Sequence, residues 1–202
     1  MGGDWKPVER FSFSMTGFYN QLRNAIGNVT IGEGPGTFDP GGFVPEGGVL
    51  RQRRNLDRIE VIGVEAKVLW QFAADWRIRT QYLYTHPTVT SASESPQLKG
   101  KRLAQAPEHV AVAALEWRPG RWNIGAQVRY VGQQFEDDLN TLSLTHFATV
   151  DLSLAYEFSE HLSGSFKVEN AFDTETEVGK TASGLVSIGA PRLISFAVDL
   201  KF

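Results

Sequence analysis

The chemically reactive residues of this chain do not combine into a catalytic or metal-binding motif. The four histidines, His86, His109, His146 and His161, lie far apart and lack the spacing that metal ligands need. The Gly-x-Ser-x-Gly motif of a nucleophilic serine does not occur. The stretch Gly32-Glu33-Gly34-Pro35-Gly36 lacks the following Lys-Ser/Thr pair of a phosphate-binding loop. We therefore expect no enzyme activity and no cofactor, and we interpret these glycines as loop flexibility.

Arginines form the first charged group that can contact a ligand. Arg51, Arg53, Arg54 and Arg58 follow the longest glycine- and proline-rich segment, where guanidinium groups can attract an anionic chelate or a lipopolysaccharide phosphate. The alternative, which we favour, is the solvated base of a loop. Three further arginines lie on predicted strands and are candidates for contacts with a ligand or with the lumen of a barrel: Arg77, Arg79 and Arg129.

Three consecutive acids form the second charged group. Glu136, Asp137 and Asp138 could bind a divalent cation at the tip of a loop. We favour a solvated loop tip instead, because three adjacent carboxylates without a fixed loop geometry make a poor cage for a cation such as Ca²⁺.

The composition narrows the class of protein. The chain has 202 residues, 42% hydrophobic and 21% charged, with a net charge of −3. It is thus neither compositionally disordered nor basic enough for nucleic acid to be its main partner. The absence of cysteine excludes disulfides and thiolate metal sites. No apolar run approaches the ~18 residues of a transmembrane helix, so strands would have to make any contact with a bilayer.

The elements that must position these side chains alternate apolar and polar residues with a period of two. The clearest case interleaves an apolar set with the mostly polar residues between its members: Val150, Leu152, Leu154, Tyr156 and Phe158. Similar segments recur along the chain and predict about nine antiparallel strands. One further set is expected on their inward, polar face: Glu65, Lys67, Arg77, Arg79, Gln127, Arg129 and Asp151.

Three features favour a membrane barrel over a soluble β-sandwich or a lipocalin-like barrel. Many segments reach ten residues or more, as tilted membrane strands require. Short turns such as residues 73–75, 119–121 and 159–161 alternate with long loops such as 32–48, 91–100, 137–145 and 174–189. Aromatic residues also flank the short turns, as an interfacial girdle would: Trp70, Trp76, Trp117, Trp122 and Phe158.

The end of the chain carries two further patterns. The last strand places an apolar residue at every second position and resembles the C-terminal assembly signal of outer-membrane barrels: Ile194, Phe196, Val198, Leu200 and Phe202. The alternative is an ordinary edge strand, which would be prone to aggregate unless it is covered or embedded. Before it, a second set resembles the end of TonB-dependent receptors, where Asn-Leu-Phe-Asp precedes Gly-x-Pro-Arg: Asn170, Phe172, Asp173, Gly189, Pro191 and Arg192.

This resemblance covers nearly the whole chain, because Gly17-Phe18-Tyr19-Asn20 and Leu98-Lys99-Gly100 also match the family's barrel pattern. Ala171 departs from it where leucine is usual. The resemblance implies that residues 1–202 are the C-terminal part of an up-and-down transmembrane barrel, about nine of about 22 strands, without the plug domain. Since Met1 to Lys6 precede no apolar export core, we also expect that Met1 is not the natural start or that the gene is truncated.

The family further implies a function, partners and a location. We expect active uptake of a ferric siderophore or similar bulky nutrient across the outer membrane of a Gram-negative bacterium. The expected partners are outer-membrane lipid, the barrel assembly machinery, the plug inside the barrel and, through the missing part, TonB. Two alternatives remain: a small complete barrel with a structural or adhesive role, and a soluble β-sandwich binding module. Because open sheet edges are not tolerated in hydrocarbon, we expect the isolated chain to misfold.

Overall fold

The computed structural model describes residues 1–201, and almost all of its regular structure is antiparallel β-strand. Phe202, the terminal aromatic of the predicted assembly signal, lies outside these residues. The strands are β1 (Gly2–Val8), β2 (Phe11–Glu33), β3 (Gly36–Phe38), β4 (Gly42–Val44), β5 (Val49–Trp70), β6 (Trp76–Ser91), β7 (His109–Trp117), β8 (Trp122–Val131), β9 (Gln134–Phe135), β10 (Ser143–Leu144), β11 (Phe147–Glu157), β12 (Leu162–Glu169), β13 (Glu177–Lys180), β14 (Val186–Ile188) and β15 (Leu193–Leu200). A short 3₁₀ helix spans Pro96–Leu98.

Nine of these strands form one sheet in the order β1-β2-β5-β6-β7-β8-β11-β12-β15, so neighbours in the sheet are neighbours along the wall of an up-and-down barrel. Within residues 1–201, β1 and β15 are the two edges and the sheet does not close on itself. The prediction of about nine strands is confirmed. The soluble-sandwich alternative is wrong, since the nine strands make a single layer.

The connections alternate in length as predicted. Short turns occupy residues 9–10, 71–75, 118–121 and 158–161, whereas long loops occupy residues 34–48, 92–108, 132–146 and 170–192. Three of the long loops contain a small hairpin of their own, formed by β3–β4, β9–β10 and β13–β14. All long loops therefore emerge at one end of the wall, which we term the long-loop end, and all short turns at the other.

The pairing register gives the sheet two distinct faces. Leu154 lies opposite Ile124 and Phe166, and Phe166 lies opposite Phe196, so an apolar row crosses four strands without interruption. The apolar face is exposed even in the interior of the sheet, where Leu152 and Leu154 of β11 keep 43% and 37% of their surfaces accessible. Burial against protein does not account for such a face, whereas hydrocarbon on the outside of a barrel does.

Aromatic residues mark both margins of the apolar face. At the short-turn end, ring contacts link Trp5, Phe11, Trp70, Phe72, Trp76 and Trp117 in sequence, with centroid distances from 5.2 to 6.4 Å. The aromatic residues of the other margin lie eight positions farther along the same strands. Tyr19 on β2, Tyr84 on β6 and Tyr130 on β8 are each eight residues from Phe11, Trp76 and Trp122, respectively. Eight residues span about 26 Å of strand, or roughly 20 Å along the membrane normal at the usual barrel tilt. The predicted girdle is confirmed, and this spacing fits an apolar membrane band.

The hydrophobic core lies beyond this apolar band along the strands, toward the long-loop end. It consists of Val29, Leu56, Ile59, Val89, Ala92 and Leu98, all at most 5% exposed. These side chains come from β2, β5, β6 and the loop that follows β6. Strands β2 and β5 therefore extend far beyond the membrane band and serve as a platform for the loops. No helix within residues 1–201 combines the length and apolarity needed to cross a membrane.

Candidate functional site

The polar face of the wall carries a ladder of charges. Arg79 pairs with Glu116 at 3.1 Å, and Arg118 reaches the other oxygen of the same carboxylate at 2.9 Å. The register places Arg79, Ala114, Gln127 and Asp151 opposite one another in a single row across four strands. All members of the predicted inward set share this face: Glu65, Lys67, Arg77, Arg79, Gln127, Arg129 and Asp151.

A depression of about 220 Å³ interrupts this ladder. Its floor is small because Gly125 lies opposite Ser153, and a Cβ at position 125 would come within 2.5 Å of the Ser153 hydroxyl. Charged and polar groups of both signs surround it: Arg79, Glu116, Gln127, Asp151 and Lys167. Such a frame can accept a polar side chain or ordered water, but it contains no nucleophile paired with a base.

A second cavity, of about 330 Å³, lies at the long-loop end. Its floor is apolar and consists of Leu56, Val89, Leu98 and Leu103. Four charged residues also line it: Arg51, Arg102, Glu136 and Asp138. We call it the rim cavity. The Arg102 guanidinium already has partners within the protein, since it forms a salt bridge with Glu108 and lies 4.5 Å over the Phe135 ring. Within residues 1–201, the side chain of Arg51 has neither a salt bridge nor a hydrogen bond, so it is available to an anionic ligand.

The predicted ligand arginines separate into two groups. Arg51, Arg53 and Arg54 lie in β5 rather than at the base of a loop, because the β2–β5 pairing continues as far as Glu33 and Val49. Arg54 donates to the Glu94 carbonyl at 2.8 Å and so helps to hold the loop after β6. The other three lie within the membrane band on the polar face: Arg77, Arg79 and Arg129.

Neither interpretation of the three consecutive acids describes them correctly. Asp137 is 5% exposed and accepts hydrogen bonds from the Thr141 amide and hydroxyl and from the Leu142 amide at 2.7 to 3.0 Å. Asp138 binds Thr30, and Glu136 accepts from Gln105 at 2.9 Å. No group of residues within 1–201 has the arrangement of a metal site. The acids are structural, because each carboxylate already has a protein donor.

The hydrogen bonds to the Asp137 carboxylate lower its pKa. Burial would raise that pKa, but hydrogen bonds from the Leu142 and Thr141 amides and from the Thr141 hydroxyl outweigh it and hold the pKa below 3.8. Glu108 shows the same balance. Its burial opposes a hydrogen bond from His86 and the charge of Arg102, and the net effect lowers its pKa from 4.5.

The family-motif residues form a junction between β12 and β15. Asn170 is 6% exposed, has a left-handed φ of 50°, and exchanges hydrogen bonds of 2.9 Å with the Thr174 backbone. The backbone amide of Asn170 donates to the Asp151 carboxylate at 2.9 Å, and the Asp173 carboxylate accepts from the Arg192 backbone amide at 2.8 Å. Pro191 and Arg192 directly precede β15, Gly189 donates to the Thr176 carbonyl at 2.9 Å, and Phe172 is exposed. The apolar members Ile194, Phe196, Val198 and Leu200 share the outer face of β15.

Sequence reasoning missed the polar contacts that fasten the loops. Asp57 accepts from the Ser93 amide at 2.6 Å, and Asn140 exchanges two hydrogen bonds with the Arg102 backbone at 2.7 and 3.0 Å. The pattern Asp137 to Asn140 does indicate a turn, since such residues bond to nearby backbone. Nothing local indicates that Asn140 contacts Arg102.

Comparison with known proteins agrees with this architecture. A family model described as "TonB dependent receptor-like, beta-barrel" matches residues 2–171. The Ferrioxamine B receptor of Salmonella typhimurium is 29% identical over 158 residues, which is 74% of this chain and 22% of that receptor. The iron-regulated outer membrane virulence protein of Vibrio cholerae is 27% identical over 170 residues, covering 80% of this chain and 24% of that protein. The chain thus spans about a quarter of the length of the curated relatives it matches.

Solved structures extend the likeness of fold. The siderophore receptor PiuA from Acinetobacter baumannii superposes with a TM-score of 0.74 at 16% identity, covering 100% of this chain and 28% of that chain. The copper transporter OprC gives a TM-score of 0.77 at 18% identity, covering 100% of this chain and 30% of that chain. These identities support a shared fold alone.

Proposed function

Because this chain belongs to the TonB-dependent receptor β-barrel family, we propose that the protein carrying it imports a bulky iron chelate, such as a ferric siderophore. The chain forms part of a barrel wall in the outer membrane of a Gram-negative bacterium. The family is made up of transport receptors, and we propose no enzyme activity for this segment.

The observation that carries this proposal is the division of one sheet into two faces. The apolar face between two aromatic margins suits lipid, while the polar face carries the charges that hydrate a lumen or contact a plug. We propose that the plug packs against this polar face and that TonB engages the protein outside residues 1–202. The assembly machinery would recognise β15 through Ile194, Phe196, Val198 and Leu200, together with Phe202.

The rim cavity is the proposed contribution of this segment to cargo recognition. Arg51 supplies a guanidinium group without a protein partner beside the apolar floor of the cavity. This combination suits a chelate with an anionic metal-binding group and a hydrophobic backbone. Arg53 and Arg54 would add positive field at the same end. The fold does not determine which metal is carried, since it superposes on a protein named as a copper transporter as well as on one named as a siderophore receptor. Ferrioxamine is the first cargo to test, because a relative is named for it.

The experiment is uptake by the native polypeptide that carries these residues, expressed in a strain without its own ferrioxamine receptor. We expect uptake of radioactive iron as ferrioxamine, lost when TonB is deleted. Arg51→Gln should weaken cargo binding by roughly tenfold, the effect of losing one hydrogen bond to a charged group. Lys6→Gln, on β1 at the short-turn end, is the matched control. No TonB-dependent uptake with ferrioxamine or any other ferric siderophore would reject the proposal.

A further inference from the structure

Two arginines face each other on the outer side of the wall, just beyond the apolar band. The register places Arg23 of β2 directly opposite Arg58 of β5, and both are exposed. Arg23 donates to Gln21 at 3.1 Å, and Gln21 contacts Glu60 at 3.4 Å, so these side chains share one face. Farther down that face Tyr19 lies opposite Ile62, with 57% and 54% of their surfaces exposed. The arginine pair therefore continues the lipid-facing side of the wall.

The height of the pair matches the headgroup layer. Tyr19 belongs to the aromatic margin at the long-loop end, and Arg23 lies four positions farther along β2. Four residues of strand rise about 13 Å, or roughly 10 Å along the membrane normal at the usual barrel tilt. A flexible arginine side chain can bend back toward the interface from this height. Both guanidinium groups can consequently reach the phosphates of the outer leaflet.

The electrostatics of the pair are unfavourable unless an anion is present. Like charges directly opposite each other on neighbouring strands destabilise a sheet. Within residues 1–201 neither guanidinium has a salt bridge, and Glu60, the carboxylate of the adjacent row, is contacted by Gln21. The Asp57 carboxylate, next to Arg58 in the chain, is occupied as well, because it accepts hydrogen bonds from the Ser91 hydroxyl and from the Ser93 amide and hydroxyl. A phosphate between the two guanidinium groups would replace this repulsion by charge-assisted hydrogen bonds of matching geometry.

We propose that Arg23 and Arg58 form a binding site for the phosphate of an outer-leaflet lipid. A lipid supplies this phosphate, because the arginine pair lies on the apolar, outward face of the wall and not on the polar face or in the rim cavity. The inference goes beyond cargo transport and depends only on the placement of the wall in the membrane. It would stand even if the cargo were not an iron chelate.

The test titrates lipid A into the native full-length polypeptide, purified in a maltoside detergent that contains no phosphate, and counts bound lipid by native mass spectrometry. The R23Q/R58Q variant should bind lipid A at least tenfold more weakly, since the loss of even one hydrogen bond to a charged group is worth roughly that factor. R129Q, which removes an arginine from the polar face, should bind like the wild type. Equal binding by wild type and R23Q/R58Q, or an equal loss in R129Q, would overturn the proposal.

Two further arms separate the source of the phosphate and guard against misfolding. Dephosphorylated lipid A should bind as poorly to the wild type as lipid A binds to the double variant, and inorganic phosphate should not compete at equal concentration. Effective competition by inorganic phosphate would reject the lipid as the source. The single variant R58Q should raise the melting temperature in lipid-free detergent, where it removes repulsion, and lower it relative to the wild type when lipid A is present. A shift of the same sign in both media contradicts the site.

Discussion

Asp138 and Thr30 are 108 residues apart in sequence, yet the Asp138 carboxylate accepts the Thr30 amide at 2.8 Å and the Thr30 hydroxyl at 2.6 Å. This contact fastens the loop between β8 and β11 to the far extension of β2. Asp138→Ala should leave the barrel intact but lower the free energy of local opening of residues 132–146 by about 1–3 kcal/mol. Hydrogen exchange followed by mass spectrometry measures that opening. Thr30→Val should reproduce part of the effect, because it removes the hydroxyl donor and keeps the amide donor. Additive effects of the two substitutions would contradict a shared contact.

The assignment of the two faces can be tested with neighbouring residues at the centre of the membrane band. Ala126 lies midway between Trp122 and Tyr130 on the apolar face, opposite Leu115 and Leu152, whereas Gln127 lies on the polar face. Ala126→Arg should cost about 2–4 kcal/mol of unfolding free energy in lipid vesicles, while Gln127→Arg should cost little. Denaturant unfolding of the full-length protein measures both. Equal costs would show that the faces are wrongly assigned.

Asn170 should tolerate glycine better than alanine. Both substitutions remove the side-chain hydrogen bonds with Thr174, but only alanine must adopt the left-handed φ of 50° with a Cβ. We expect Asn170→Ala to be less stable than Asn170→Gly by about 1 kcal/mol. Thermal unfolding in detergent compares the two variants with the wild type. Alanine equal to or better than glycine would mean that the junction relaxes to another backbone conformation.

The loop after β9 should loosen in acid because of Asp137. The pKa of this carboxyl is held below its ordinary 3.8 in the folded protein, so its stabilising contribution is complete above 3.8 and disappears as the pH falls through the lowered pKa. Asp137→Asn cannot titrate. The difference in melting temperature between wild type and this variant should be constant at higher pH and shrink below 3.8. A difference that does not vary with pH would exclude the carboxylate as its source.

Residues 1–202 by themselves should not form a stable monomeric barrel in detergent. The outward edges of β1 and β15 have unpaired backbone groups within residues 1–201, and hydrocarbon offers them no partner. We expect aggregation on refolding, seen by size-exclusion chromatography, and no change of gel mobility on heating. The full-length protein, refolded in parallel, is the control. Recovery of a monodisperse, heat-modifiable species from the isolated chain would contradict this expectation.

The sequence alone determined the wall. Alternation such as Val150 to Phe158 fixes which side of a strand is apolar, since successive side chains point to opposite faces, and it therefore predicts the two-faced sheet, its nine strands and its alternating turns. The aromatic margins follow from the same local pattern. Each of these features depends on residues close together in the chain.

Only the tertiary structure decided what happens beyond the membrane band. There the alternation yields to polar contacts whose partners are remote, as with Thr30 and Asp138, or Asn140 and Arg102. The acids 136–138 were misjudged for that reason, because a carboxylate with distant donors has the same local sequence as a solvated one. The opposition of Arg23 and Arg58 also depends on the register of two strands, which is set by the pairing along their whole length and not by either segment alone.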